Sequence, residues 1–133
     1  MKKLNLTSNG KFELDDVKMP RLKKDTSIVK LSHVGVCSSD IKRSSGNGAY
    51  FYPLVMGHEA MGFIHKSDAK FKVGDKVVIF PLKPCFKCPS CLSKNFQTCD
   101  SYGYYGSRED GAYQQFLTVN NWNLLKLPKT ISN

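Results

Sequence analysis

The sequence predicts a mainly β, barrel-like domain that carries an irregular lobe rich in cysteine. Three observations support this prediction: short runs of β-forming residues, glycine and proline residues between those runs, and hardly any helical periodicity. The 133 residues suit a single domain, and a composition of 41% hydrophobic and 23% charged residues suits a folded chain.

The first third of the chain is expected to form strands and one short helix. Residues 1–25 should open the fold as a hairpin or meander that turns at Gly10. The β-rich segment 28–36 follows and ends at Cys37. Residues 38–45 are predicted to form a short helix, because serine begins the segment and an acidic residue lies in its first turn.

The rest of the chain is predicted to alternate strands with loops. Residues 46–53 are rich in glycine and aromatic side chains and are expected to form a loop. Residues 81–101 contain prolines and four cysteines without a regular period, and are expected to form the irregular lobe. The remaining strands are predicted at 57–64, 77–80, 112–119 and 123–127.

The chain is basic, with 20 Lys and Arg against 11 Asp and Glu and a net charge of +9. The charge is spread along the sequence, which favours a lysine-rich surface over a nucleic-acid-binding face. No apolar run approaches the ~20 residues that a membrane span needs, and no apolar run follows the basic start Met1-Lys2-Lys3 as in a signal peptide. A cytoplasmic protein without a membrane partner is the default expectation.

Four of the five cysteines lie within fifteen residues, in the spacing Cys-x2-Cys-x2-Cys-x7-Cys: Cys85, Cys88, Cys91 and Cys99. Four thiolates complete a tetrahedral zinc site without an open position, so the spacing predicts a structural zinc. An iron–sulfur cluster is the chemical alternative. The ferredoxin-type run places its fourth cysteine after three residues with proline next, whereas Asp100 follows Cys99 here.

A second group of candidate ligands is scattered over about twenty residues. Cys37, His58 and Glu59 offer a thiolate, an imidazole and a carboxylate, which is a ligand set suited to catalytic zinc. Asp40 is a suitable hydrogen-bond acceptor for the free nitrogen of His58. Ser39 is a suitable first acceptor for a substrate proton.

Five motifs occur in a fixed order along the chain. They are Gly35-Val36-Cys37-Ser38-Ser39-Asp40, Gly57-His58-Glu59-Ala60-Met61-Gly62, Gly74-Asp75-Lys76-Val77-Val78, the four cysteines, and Gly111-Ala112-Tyr113-Gln114-Gln115-Phe116. In this order they resemble those of zinc-dependent medium-chain alcohol dehydrogenases, and the resemblance runs from about residue 25 to the end.

Three further segments narrow the resemblance: Asn47-Gly48-Ala49-Tyr50-Phe51-Tyr52-Pro53, Pro81-Leu82-Lys83-Pro84-Cys85-Phe86 and Gly106-Ser107-Arg108-Glu109-Asp110-Gly111. Through them the chain is most similar to polyol dehydrogenases of the galactitol-1-phosphate and sorbitol kinds.

The resemblance implies a GroES-like, partly open β-barrel with two zinc sites. It implies catalytic zinc at Cys37 and His58, Glu59 as a direct or near ligand, and Ser39 as the proton relay. It implies that the four-cysteine lobe binds structural zinc. It also implies hydride transfer from a zinc-bound alkoxide, derived from an alcohol or polyol, to NAD or NADP.

The resemblance covers only the N-terminal domain of such an enzyme, residues 1–133, and the glycine-rich Rossmann fingerprint is absent from the sequence. The cofactor domain is therefore expected to be missing, and the isolated chain to be inactive. Family enzymes form homo-oligomers largely through that domain, so the chain is expected to be monomeric.

Two readings from other classes stay open: a zinc-stabilised basic module that binds nucleic acid or protein, and a regulatory or assembly remnant.

Several side chains near the predicted site have roles that the sequence leaves open. Tyr50 and Tyr52 could line a polyol pocket or could equally pack elsewhere. Lys42 and Arg43 could reach a substrate phosphate, although a solvated helix face is the favoured expectation. Lys94 and Asn95 stand where the family often has a glycine, and Asn95 is the one of the two expected to adopt the left-handed conformation.

Overall fold

Antiparallel strands dominate the computed structural model, which describes residues 1–45, 48–68, 70–128 and 130–131. No helix within these ranges is both long enough and apolar enough to cross a membrane. The described α-helices are α1 (Ser38–Ser44) and α2 (Pro89–Leu92), and 3-10 turns lie at Phe96–Thr98 and Asn121–Asn123. The described strands are β1 (Lys2–Ser8), β2 (Lys11–Asp16), β3 (Thr26–Gly35), β4 (Glu59–Ser67), β5 (Lys76–Ile79), β6 (Leu82–Lys83), β7 (Gly103–Tyr104), β8 (Phe116–Asn120) and β9 (Leu124–Lys126).

The central sheet has five strands in the order β8-β3-β4-β5-β9. Its longest pair is β3 with β4, which runs from Ser27 opposite Ser67 to Gly35 opposite Glu59 and contains two register shifts. Such irregularities increase the bend and twist of a strand. The order leaves β8 and β9 at opposite edges, so the sheet curls into a half-barrel that stays open, as the sequence predicts.

The main core covers one face of this sheet, because alternate side chains of each strand point to the same side. Val77 and Ile79 of β5 are buried while Val78 between them is only half-buried, and β8 repeats the pattern with Leu117 and Val119. The other buried members of this cluster are Val29, Ala60, Ile64, Tyr105, Ala112 and Leu124.

The N-terminal hairpin of β1 and β2 is fastened to the loop that precedes β4. The N–H of Leu6 donates to the carbonyl of Leu54 at 2.8 Å, and the N–H of Leu54 donates back at 3.0 Å. The side chains of Leu6, Leu54 and Met56 form a second, smaller apolar cluster. The hairpin therefore braces the segment that leads into His58.

Two predicted strands begin later than the sequence suggests. The strand predicted at 112–119 begins at Phe116, and the strand predicted at 57–64 begins at Glu59. The reason is that these two segments bond to each other outside the main sheet: Gly111 N–H donates to the Val55 carbonyl at 2.7 Å, and Ala112 N–H donates to the Gly57 carbonyl at 2.8 Å. This crossing brings residues 111–115 against the start of β4.

Tyr105 gives the core a measurable dependence on alkaline pH. Its hydroxyl accepts a hydrogen bond from the N–H of Asn120 at 3.1 Å, and burial raises the pKa of Tyr105 from 10.0 to about 12. In the unfolded chain this phenol loses its proton near pH 10, whereas in the folded chain it keeps it. Stability is therefore lost as the pH rises from 10 to 12, with a slope of about 1.4 kcal/mol per pH unit for one proton.

We expect Tyr105→Phe to lower the free energy of unfolding at pH 7 by about 1–3 kcal/mol, because the Asn120 N–H loses its acceptor. The same variant should lose less stability than the wild type between pH 10 and 12. Urea unfolding at pH 7, 10 and 11 measures both effects, with Tyr52→Phe at an exposed tyrosine as control. Identical alkaline slopes in the wild type and Tyr105→Phe would contradict the assignment.

Candidate functional site

The four clustered cysteines converge on one point. Their sulfur atoms all lie within 4.8 Å of one another, and the sulfurs of Cys85 and Cys91 are 3.9 Å apart. Four sulfurs placed tetrahedrally at about 2.3 Å from a zinc ion are separated by about 3.8 Å. Cys91 and Cys99 are buried, whereas Cys85 and Cys88 are half-buried. The geometry fits a closed four-thiolate metal site.

The lobe backbone also suits thiolates. The N–H groups of Lys87 and Cys88 hydrogen-bond the Cys85 sulfur and lower the pKa of that thiol to about 6. Burial dominates at Cys91 and raises the pKa of its thiol to about 12. A bound cation would favour the deprotonated form of each of these thiols.

The turn inside the lobe differs from the prediction made for it. Lys94, and not Asn95, adopts the left-handed conformation, with φ of 62° against −87° for Asn95. The N–H groups of these two residues bond to the carbonyls of Cys91 and Ser90, at 3.0 and 2.8 Å, and so close the end of α2. The expectation for Asn95 was wrong because the bond pattern at the helix end puts the reversal one residue earlier.

Aromatic side chains attach the lobe to the barrel. The ring of Trp122, which lies between β8 and β9, meets the edges or faces of three phenylalanine rings at centroid distances of 5.1 to 5.8 Å. Two of these phenylalanines belong to the lobe, Phe86 and Phe96, and the third is Phe80. T-shaped pairs in this range add stability beyond the area that they bury.

Cys37, His58 and Glu59, the three candidate ligands of the second predicted metal site, lie together in the structure. One ligand atom from each lies within 4.8 Å of the others. The sheet explains the convergence, because Gly35 at the end of β3 lies opposite Glu59 at the start of β4. Cys37 follows β3 by two residues, and His58 directly precedes β4. Side chains from two separate segments of the chain thus meet at one end of the β3–β4 pair.

Asp40 is buried behind this cluster and lies close to both Cys37 and His58. Its side chain is only 2% exposed, and one carboxylate oxygen accepts the Cys37 N–H at 3.1 Å. The other oxygen lies 3.6 Å from Nδ1 of His58, slightly beyond hydrogen-bond length, and this buried nitrogen bonds to nothing else among the described residues. A nitrogen held beside a carboxylate leaves Nε2 available as the ligand atom of the ring.

Tyr113 is a site residue that sequence reasoning missed. Its hydroxyl donates to the Asp40 carboxylate at 3.2 Å, and burial together with the negative charge of Asp40 raises the pKa of Tyr113 to about 12. The phenol therefore stays a neutral donor at neutral pH. No local signal identifies it, because the contact joins residues 73 positions apart in the chain.

Hydrogen bonds from the turn that follows Cys37 favour the thiolate form of its side chain. The hydroxyl and the backbone N–H of Ser39 both hydrogen-bond the sulfur and lower the pKa of the thiol. Cys37 is the N-cap of α1, and its carbonyl accepts the N–H of Asp40 at 2.9 Å. One short helix thus positions Cys37, Ser39 and Asp40 together.

A cavity of about 540 Å³ opens beside this cluster. His58 and Ser39 line one part of it, together with the ring of Tyr104, which meets His58 edge to face at 5.7 Å. Tyr50 also lines the cavity, whereas Tyr52 does not. Arg43 lines it too, so the expectation of a solvated helix face was wrong for Arg43 but holds for the exposed Lys42. The other lining residues are Phe80, Pro81, Leu82, Gln97, Tyr102, Ser107 and Arg108.

Comparison with known proteins places this geometry in a known family. Residues 23–129 match the family described as the alcohol dehydrogenase GroES-like domain. Galactitol 1-phosphate 5-dehydrogenase of Escherichia coli is 34% identical over 132 residues, which cover 96% of this chain and 38% of that protein. L-galactonate-5-dehydrogenase of E. coli is 35% identical over 103 residues, which cover 74% of this chain and 30% of the relative.

Solved structures agree with this placement. The crystal structure of galactitol-1-phosphate dehydrogenase from E. coli superposes with a TM-score of 0.95 at 34% identity, covering 99% of this chain and 39% of that chain. The alcohol dehydrogenase of the archaeon Aeropyrum pernix superposes with a TM-score of 0.85 at 26% identity, over 99% and 41% of the two chains. The predicted GroES-like fold is confirmed, and the chain spans about two fifths of the length of these relatives.

Proposed function

The chain belongs to the alcohol dehydrogenase GroES-like domain family, and we propose that it is the catalytic domain of a zinc-dependent, NAD- or NADP-linked dehydrogenase of polyols or polyol phosphates. The observation that carries the proposal is the convergence of Cys37, His58 and Glu59 beside an open cavity. A site with three protein ligands and an accessible fourth position is the arrangement of catalytic zinc, whereas the four-cysteine site is closed and structural.

The donor set fits zinc, since a thiolate, an imidazole and a carboxylate make up a borderline-soft combination. Bound there, Zn²⁺ would supply the Lewis acidity that lowers the pKa of a substrate hydroxyl. Ser39 lines the same cavity, and its hydroxyl both accepts and donates protons, so it can take the hydroxyl proton and release it towards solvent. The Asp40 carboxylate lies 3.6 Å from Nδ1 of His58, close enough to favour the ring orientation that presents Nε2 to the metal.

Metal content tests the proposal. Protein purified without added metal should contain close to two zinc ions per chain by elemental mass spectrometry. His58→Ala should lower this to one, and His65→Ala, at an exposed histidine that packs on Phe116, should leave it at two. Iron with sulfide would overturn the zinc assignment of the four-cysteine lobe, and one zinc in the wild type would overturn the proposed catalytic site.

Asp40→Asn should weaken zinc binding at the second site without affecting the lobe. The amide removes the negative charge beside His58 Nδ1 and one strong acceptor for the Cys37 N–H and the Tyr113 hydroxyl. Loss of such an outer partner costs about 10–100-fold in metal affinity. Competition with a chelator measures this, with the exposed Asp100→Asn as control. Equal affinities in both variants would show that Asp40 has no part in metal binding.

The alternative of a basic module that binds nucleic acid or protein gains no support from this geometry. It rests on the net charge of +9 and the four-cysteine lobe, and it assigns no role to the cluster of Cys37, His58 and Glu59. A steep loss of nucleic-acid affinity between low and physiological salt would be its signature.

A further inference from the structure

We propose that Arg43 and Arg108 form an anion subsite in the cavity beside His58, and that it selects a phosphorylated polyol over a neutral one. This inference rests on the proposed function, since it assigns the substrate class of the same cavity. Among the described lining residues, both arginines are present and no aspartate or glutamate is. The remaining polar lining groups are hydroxyls, an amide and the His58 ring, which suit sugar hydroxyls.

Two tyrosines position the guanidinium of Arg108 before any ligand binds. Its guanidinium lies 4.7 Å from the centre of the Tyr50 ring and 4.3 Å from that of Tyr102. One terminal nitrogen, Nη2, donates to the Tyr102 hydroxyl at 3.4 Å. Cation–π contacts hold the guanidinium near both rings without using its other N–H groups, which can donate to a planar or tetrahedral anion.

The carboxylates next to Arg108 in sequence do not neutralise it. Glu109 pairs with Lys83, and Asp110 pairs with Lys3 at 3.0 Å while also accepting the Val55 N–H at 3.0 Å. No ion pair of Arg108 is found in the described residues. The positive charge of Arg108 is therefore available to a ligand.

Contacts with residues of α1 and with the Gly48 carbonyl hold the guanidinium of Arg43. Its side chain is 13% exposed, and Nη1 lies 3.5 Å from an Asp40 oxygen and 3.4 Å from the Ser39 carbonyl. Its Nε donates to the Gly48 carbonyl at 3.3 Å. These contacts fix the guanidinium at the cavity wall and leave Nη2 without a partner in the described part of the chain. Two arginines that line one cavity supply N–H donors suited to the several oxygens of a phosphate.

The test uses this chain with glycerol 3-phosphate as the probe, and with glycerol and inorganic phosphate as comparison ligands. Side-chain N–H signals of Arg43 and Arg108 in NMR spectra should shift with glycerol 3-phosphate and not with glycerol. The dissociation constant should rise about tenfold or more in Arg108→Gln and in Arg43→Gln. Arg21→Gln, at an exposed arginine outside the cavity, should stay within about twofold of wild type.

Three results would overturn the subsite: equal weakening in Arg21→Gln, unchanged affinity in both cavity variants, or equal binding of glycerol. Inorganic phosphate bound as tightly as the ester would overturn the proposed selection of a phosphorylated polyol. If Arg43→Gln disturbs folding, the exposed Arg108→Gln variant decides the question. If glycerol 3-phosphate does not bind while the chain holds two zinc ions, the proposed dehydrogenase function stays intact. Loss of the second zinc with phosphate binding preserved contradicts that function and not the anion subsite.

Discussion

Replacement of Cys91 by serine is expected to release one zinc per chain and to unfold the lobe of residues 81–101 while the half-barrel stays folded. Cys91 is 5% exposed, and its sulfur belongs to the four-cysteine cluster. A structural zinc contributes about 10–16 kcal/mol of apparent binding free energy, which is folding free energy for the segment that it organises. With a hydroxyl in place of a thiolate, the remaining three sulfurs leave the tetrahedron open.

Trp122 provides the readout for this experiment, because it is the only tryptophan of the chain and packs on both lobe phenylalanines. Unfolding of the lobe should expose the indole and shift its fluorescence to longer wavelength. The far-ultraviolet circular dichroism of the sheet should change little. Zinc content should fall from two to one at the same time.

Cys37→Ser is the matched control. It should also lower the zinc content to one, but it should leave the tryptophan emission unchanged, because Cys37 lies in the other cluster. A Cys91→Ser protein that keeps two zinc ions and the wild-type emission would show that the lobe does not depend on metal.

The cysteine spacing predicts the lobe because short spacers limit how far apart the sulfurs can lie. A local pattern also predicts the N-terminal hairpin, whose turn at Gly10 connects β1 and β2 as expected. The order of Cys37, His58 and Glu59 predicts their convergence through family resemblance, and the opposed positions of Gly35 and Glu59 explain it. Local patterns are sufficient where a short segment or a known motif sets the geometry.

Other parts of the site depend on contacts that no local pattern encodes. Tyr113 reaches Asp40 only because residues 111–115 leave the main sheet and cross to the start of β4. Arg43 lies on a helix that is too short to show an amphipathic pattern, so its direction follows from Asp40 and Gly48. Arg108 acquires its position from Tyr50, which is 58 residues earlier.

Replacement of Gly106 by alanine is expected to destabilise the fold and to disturb the site around His58. Gly106 has φ of +79°, and a Cβ built on it would lie 2.5 Å from the carbonyl oxygen of Gly57 and 2.8 Å from its carbonyl carbon. Both neighbours are backbone atoms, which cannot rotate away. The left-handed conformation costs about 1–2 kcal/mol for alanine, and overpacking adds about 1–3 kcal/mol.

Gly57 directly precedes His58, and its carbonyl also accepts the Ala112 N–H at 2.8 Å. The displacement that relieves the clash therefore moves the backbone that positions the imidazole. Gly106→Ala should lower the free energy of unfolding by about 2–5 kcal/mol. It should also weaken zinc at the second site while the four-cysteine site keeps its metal.

Gly74→Ala separates the cost of the left-handed conformation from the clash of the added Cβ with Gly57. Gly74 has a similar φ of +87°, but a Cβ there meets no atom within 4 Å. It should therefore lose only the conformational cost of about 1–2 kcal/mol and keep both zinc ions. Denaturant unfolding and zinc analysis of the two variants measure the difference. Equal destabilisation in Gly106→Ala and Gly74→Ala would mean that the Gly57 backbone yields to the extra methyl group. Retention of both zinc ions in Gly106→Ala would show that the contact between Gly106 and Gly57 does not position His58.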